Sequence, residues 1–131
     1  MRDLVSTDQA REQLRLDSDA DALWLSIWIP AVSASVAGWL KQEWRLYQLQ
    51  RDSSGAILLD STGVPVPVLD EVGSPVLQPA VVAAALLELA SQYRYREGEG
   101  DNTVPADAGH GYVLSRAATA QLAPLRKTTV A

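Results

Sequence analysis

The 131 residues predict a mainly α protein: a four-helix bundle-like domain with a β-hairpin or meander inserted between the second and third long helices. Three observations carry that reading. Apolar residues recur at helical spacing over 7–15, 19–44, 79–96 and 112–123. Between 45 and 69 the spacing changes to alternation broken by turn signals. The length suits one domain, residues 1–131, with a single modest core, since a chain of this size buries roughly two-thirds of its unfolded surface.

Ser6-Thr7-Asp8-Gln9 has the spacing of a capping box, in which the Ser6 hydroxyl accepts from the Gln9 amide and the Gln9 side chain reaches back. A short helix with Ala10 and Leu14 on its apolar face follows, and Asp17 or Asp19 is placed to cap the second helix. That helix carries two apolar lines. One is Leu23, Ile27, Ala31 and Ala34; the other is Trp24, Trp28, Val32, Ser35 and Trp39. Two lines imply two packing partners. Pro30 cannot donate to the carbonyl of Ser26, which predicts a kink or local unwinding.

The insertion is bounded by the turn signals Asp52-Ser53-Ser54-Gly55 and Asp60-Ser61-Thr62-Gly63. Pro65 and Pro67 assign its last strand to an edge or an extended arm, and Gly73-Ser74-Pro75 closes it as a loop. No internal repeat is visible. Pro79 suits the first turn of the third helix, whose core stripe reads Val82, Leu86, Leu89 and Tyr93, with Ala80, Ala84, Leu87 and Ser91 as a smaller second face. Residues 98–111 have the composition of a loop. The fourth helix follows, and residues 124–131 form a C-terminal tail.

Composition narrows the function. With no cysteine there is neither a disulfide framework nor a thiolate metal site. His110, the single histidine, stands in a Gly-rich stretch without convergent partners, and Asp17, Asp19 and Asp21 lack the Gly and terminal Glu of a calcium loop. No phosphate-cradling Gly loop with Lys and no Gly-x-Ser-x-Gly elbow is present. The expectation is a non-enzyme with no cofactor, no metal and no catalytic residue. A formal net charge of −5 argues against sequence-independent DNA binding, which needs clustered Lys and Arg. The uncharged run from Ala22 to Leu40 approaches membrane-span length, but Ser26, Ser33, Ser35, Pro30 and Gly38 dilute it, so burial in protein is expected and no membrane partner.

The order of these pieces resembles the head-tail connector (adaptor) family of tailed phages, typified by the adaptor of phage HK97. The resemblance lies in Gln13-Leu14-Arg15-Leu16-Asp17 followed by Asp19-Ala20-Asp21-Ala22-Leu23. It continues in the helix from Pro79 to the closing Tyr93-Arg94-Tyr95-Arg96-Glu97. It ends in Leu122-Ala123-Pro124-Leu125-Arg126, similar to the family's Leu-x-Pro-Tyr-Arg with Leu125 in the tyrosine position. These segments cover 34 of the 131 residues, and residues 45–69 depart from the family's shortest members. The resemblance implies a virion structural protein, made in the host cytoplasm, that forms a ring homo-oligomer, a dodecamer, beneath the portal. Such a ring extends the channel through which DNA passes without sequence-specific binding. It also docks the next head-completion (stopper) or tail protein.

Candidate contact residues follow from both readings. The chain has four Trp and no Phe, and Trp is enriched at interfaces. Trp24 and Trp39 are expected in the core, while Trp28 and Trp44 either fill the core or anchor a subunit interface. Leu87, Arg94 and Arg96 join them as interface candidates. The resemblance places Leu125, Arg126, Lys127 and Val130 against the portal. Asp52, Ser54, Asp60 and Thr62, on exposed turns, are candidates for docking the downstream protein. Two other classes stay open: a membrane-associated helical protein anchored by residues 22–40, and a small oligomeric helical binding domain of unrelated role.

Overall fold

The computed structural model describes residues 2–16, 21–95 and 114–126. Asp17, Asp19, Arg96, His110, Lys127, Val130 and the expected loop at 98–111 lie outside the described residues. Four helices pack as a bundle: α1 (Thr7–Leu14), α2 (Ala22–Leu40), α3 (Pro79–Tyr95) and α4 (Arg116–Arg126). The mainly α, bundle-like class is therefore as the sequence predicts.

α1 begins with the capping box, Gln9 N–H donating to Ser6 Oγ at 3.0 Å and Ser6 N–H to Gln9 Oε1 at 2.8 Å. It ends at Arg15, whose φ of 58° and ψ of 45° lie in the left-handed region. Leu16 N–H then closes back on Arg11 C=O at 2.9 Å, and the Leu16 side chain packs against the core. Arginine carries a Cβ penalty at that position which glycine avoids. Arg15→Gly is expected to stabilise the protein by about 1 kcal/mol, raising the urea midpoint at unchanged slope; an unchanged or lower midpoint would count against it.

α2 is shorter than the predicted 19–44. It stops at Leu40, where Lys41 takes a φ of 76°, and a separate 3-10 turn (Glu43–Leu46) follows. The Trp44 segment is thereby turned away from the helix axis. Asp21 occupies the N-cap without a side-chain capping bond; its Oδ2 instead accepts from the Tyr93 hydroxyl at 3.1 Å. The helix continues across Pro30, which is exposed. Its core stripe is Leu25, Ile29, Val32, Ser33, Val36 and Leu40, of which only Val32 belonged to a predicted line. Ser33 is tolerated there because its Oγ accepts the Leu4 N–H at 2.9 Å, pinning the N-terminal segment over the core.

α3 buries Val81, Ala84, Ala85, Glu88 and Leu89. The predicted stripe is thus rotated by about one position: Val82 and Leu86 are only partly buried against the core. α4 starts at Arg116 and runs through Pro124 to Arg126, so 124–126 are helix and not tail. Ser115 opens it, its Oγ accepting from Ala118 N–H at 3.2 Å. Arg45 closes it, one guanidinium nitrogen reaching the carbonyls of Leu125 and Arg126 at 2.7 Å each. A cation at a helix C-terminus satisfies carbonyls that have no partner within the helix.

Between 46 and 78 the chain forms no regular strand, so the hairpin or meander of strands is not what the structure contains. Five isolated antiparallel bridges occur instead: Tyr47 with Leu77, Leu49 with Pro67, Arg51 with Ile57, Leu59 with Pro65, and Leu69 with Pro75. They are joined by two closed backbone triangles. Gln50 donates to Val66, Val66 to Leu58 and Leu58 to Gln50, at 2.8, 3.0 and 2.9 Å. Gln48 donates to Val76, Val76 to Val68 and Val68 to Gln48, each at 2.8 Å. The result is a cloverleaf of three short arms on a stem rooted at Leu46 and Gln78.

Each arm tip is an Asp-x-x-Gly turn, at 52–55, 60–63 and 70–73, with glycine φ of 86°, 86° and 85°. This recurrence is a short repeat that the sequence reading overlooked, and it makes Gly73 the end of a third turn. Backbone bonds between segments use only even-numbered residues, such as Gln78 to Leu46 and Asp60 to Val64. Every bridge is therefore of the kind whose own N–H and C=O face outward. Pro65, Pro67 and Pro75 all fall on these odd positions, where a missing N–H costs the pairing nothing.

Candidate assembly and docking surfaces

α2 has one face in the core and one left open. Leu23 is 75% exposed and Ile27 58%, and Pro30, Ala31, Ala34 and Gly38 continue the exposed line. No charged residue interrupts it between Ala22 and Leu40. The first of the two apolar lines read from the sequence is therefore the unpartnered one among the described residues. The Trp line is intermediate: Trp24, Trp28 and Trp39 are partly buried against the core. Trp24 stacks on Trp28 with centroids 5.7 Å apart and meets Tyr93 edge-on at 5.2 Å. Leu87 is half-buried on α3, and Arg94 is exposed near its end.

A second surface gathers around the end of α4. Arg126 lies over the Trp39 ring at 4.6 Å, and Arg45 over Trp44 at 4.7 Å. Trp44 itself is half-buried and outside the core cluster, and Lys41 is exposed nearby in sequence. Leu125 is half-buried, its carbonyl held by Arg45. The structure thus brings the interface candidate Trp44 and the portal candidates Leu125 and Arg126 into one basic, aromatic corner through Arg45. Sequence reasoning missed Arg45, because only the fold brings it to the end of a helix 80 residues away. The Tyr47 phenol, two residues after Arg45, is pushed up by burial first, and then by its hydrogen bond to Glu43 and that carboxylate's charge.

The third surface is the set of arm tips. Asp52 Oδ1 accepts from the Ser54 hydroxyl at 2.6 Å and from the N–H groups of Ser54 and Ala56. Asp60 repeats this with the Thr62 hydroxyl at 2.6 Å and the N–H groups of Thr62 and Val64. All four docking candidates are exposed, and their polar groups are spent on holding the turns. The hydroxyl bonds first, and the N–H bonds after them, hold both carboxyls below the ordinary value of 3.8. Since the folded pKa is the lower one, this support is present above 3.8 and disappears as pH falls through the folded value. The amide shifts of Ser54 and Thr62 are accordingly expected to titrate with midpoints below 3.8; midpoints at or above it would contradict the geometry.

Among the described residues no three His, Cys, Asp or Glu side chains converge on a metal-sized site. Geometry alone defines a class: a small helical bundle bearing a β cloverleaf, with an open apolar helix face, a basic aromatic corner and rigid exposed turns. Comparison with protein-family models, with curated proteins and with solved structures finds no match.

Proposed function

We propose that this chain is a virion structural protein, a head-tail connector that assembles as a ring beneath the portal and acts by binding, without catalysis. The observation that carries the reading is the open face of α2. An uncharged line from Leu23 to Gly38, with two large aliphatic side chains standing clear of the surface, is what a subunit hides against its neighbours. Around a ring each such contact acts in concert with the others, so modest individual contacts give firm attachment. In this reading Leu125 and Arg126, in the corner they share with the interface candidate Trp44, meet the portal, the arm tips meet the head-completion or tail protein, and DNA passes without being gripped. The net charge of −5 favours such passage over retention.

Mass photometry of the purified protein, alone and with its portal, tests this. Ring-sized particles, or decoration of portal rings, are the expected result. A strictly monomeric protein that ignores the portal overturns it, and an oligomer indifferent to the portal leaves only the small helical binding domain. One observation favours a second reading: α2 is, among the described residues, the helix long and apolar enough to cross a membrane. Against a span stands the face formed by Leu25, Ile29, Val32, Val36 and Leu40, already committed to the core. Flotation with liposomes separates the two, since a connector stays at the bottom of the gradient.

A further inference from the structure

We propose that the outer edge of residues 56–60 is a strand-addition site, which takes an extended segment of another protein with an apolar centre and a basic residue at each end. Ile57 and Leu59 sit at bridge positions, so their N–H and C=O groups point away from the cloverleaf, and none of the four has a hydrogen-bond partner among the described residues. Two residues two apart in one extended segment, where the chain passes from one arm to the next, both facing outward, are the minimum template for an added strand.

The other outward edges of the cloverleaf are guarded. Pro65, Pro67 and Pro75 each remove an outward donor, leaving Leu69 and Leu77 as single donors beside a proline on those two segments. The outward carbonyl of Pro67 is taken by the Gln50 amide at 3.0 Å, and that of Pro75 by the Arg2 guanidinium at 2.7 Å. On the remaining segment Arg51 is charged and folds onto the Gly55 carbonyl at 2.9 Å. Among these segments only 56–60 places two uncharged residues with free outward donors two apart, since the Tyr47 N–H is taken by the Trp44 carbonyl and Arg51 is charged, and it exposes Leu58 and Leu59 at 37% and 50%. An edge so apolar and so bare is a hazard unless something covers it.

Charge selects the occupant. Asp60 ends the segment, and Asp52 lies at its other end, hydrogen-bonded to Ala56 N–H at 3.0 Å. Both carboxyls are held ionised by their turns. Antiparallel pairing with the same edge of a second copy would set Asp60 of one opposite Ala56 of the other, with the Asp52 that binds that Ala56 N–H just behind it, so that like charges gather at both ends. A segment with Lys or Arg at its ends meets opposite charge instead. The inference is independent of ring assembly, because a monomer presents the same edge.

The probe is the blocked peptide Lys-Thr-Val-Thr-Val-Lys, followed by amide hydrogen exchange and chemical shifts on the full chain. Binding is expected to slow exchange at Ile57 and Leu59 roughly tenfold or more, and a Glu-ended peptide is expected to bind several-fold more weakly. Leu59→Pro removes one outward donor at a position equivalent to that of its bridge partner Pro65, so the arms are retained while binding falls roughly tenfold; Leu59→Val retains it. A version of the peptide N-methylated on its pairing amides makes the same test on the unaltered protein and is expected not to bind. Equal binding by Leu59→Pro or by the methylated peptide overturns the proposal, as does unchanged exchange at Ile57 and Leu59 at millimolar peptide. A concentration-dependent dimer that Leu59→Pro abolishes also overturns it, since the occupant would then be a second copy.

Discussion

Leu25→Ala is expected to cost roughly 3–4 kcal/mol, whereas Leu23→Ala, two residues away on the same helix, is expected to change stability by less than about 0.5 kcal/mol. Leu25 is 1% exposed and belongs to the cluster that joins α2 to α3 and α4, so truncation removes buried methyl groups and leaves a cavity the packed neighbours cannot fill. Leu23 is 75% exposed, so its truncation leaves no hole. Urea denaturation of the dilute protein reads both, through midpoints at unchanged slope. The same pair reads assembly in the opposite sense: under the connector proposal Leu23→Ala weakens self-association while Leu25→Ala acts only through unfolding. If Leu23→Ala were as destabilising as Leu25→Ala in a monomer, the assignment of α2's two faces would be wrong.

Glu88→Ala is expected to cost about 3 kcal/mol, and Glu88→Gln about 1 kcal/mol. Glu88 is 1% exposed within the otherwise aliphatic stripe of α3. Both of its oxygens accept the Ser115 N–H, at 3.0 Å each, just before α4 begins. The carboxylate therefore satisfies a buried donor and sits at the positive end of a helix, two reasons for its presence in a core. Alanine removes the acceptor and the volume together. Glutamine keeps one acceptor oxygen, so it retains the larger part. Hydrogen exchange should show the loss first in the amides opening α4. Equal costs for alanine and glutamine would mean that charge, and not acceptance of the Ser115 N–H, holds α4 in place.

The helices of this protein were legible because their signals are local. The capping box at Ser6 and Gln9, the proline opening α3 and the periodic apolar residues each act within a turn or two of chain. The turns at 52–55 and 60–63 were legible for the same reason, since an Asp side chain and a glycine of positive φ make them without outside help. The end of α2 was not, because Lys41 is not a residue that favours positive φ and nothing local marks the stop. Arg45 at the end of α4 was hidden by a separation of 80 residues along the chain. Sequence by itself determined that α2 is apolar around most of its circumference; only the tertiary structure decided that Leu25, on neither of the two lines read from the sequence, faces the core and Leu23 faces out. Likewise the alternation from 45 to 69 announced extended chain, but pairing partners are a long-range choice. The two closed triangles through Gln48 and Gln50 decided that the segments branch into arms, and left the edge at Ile57 and Leu59 open. Periodicity is a property of neighbours along the chain, whereas which face is buried and which edge is paired depends on residues that only folding brings near.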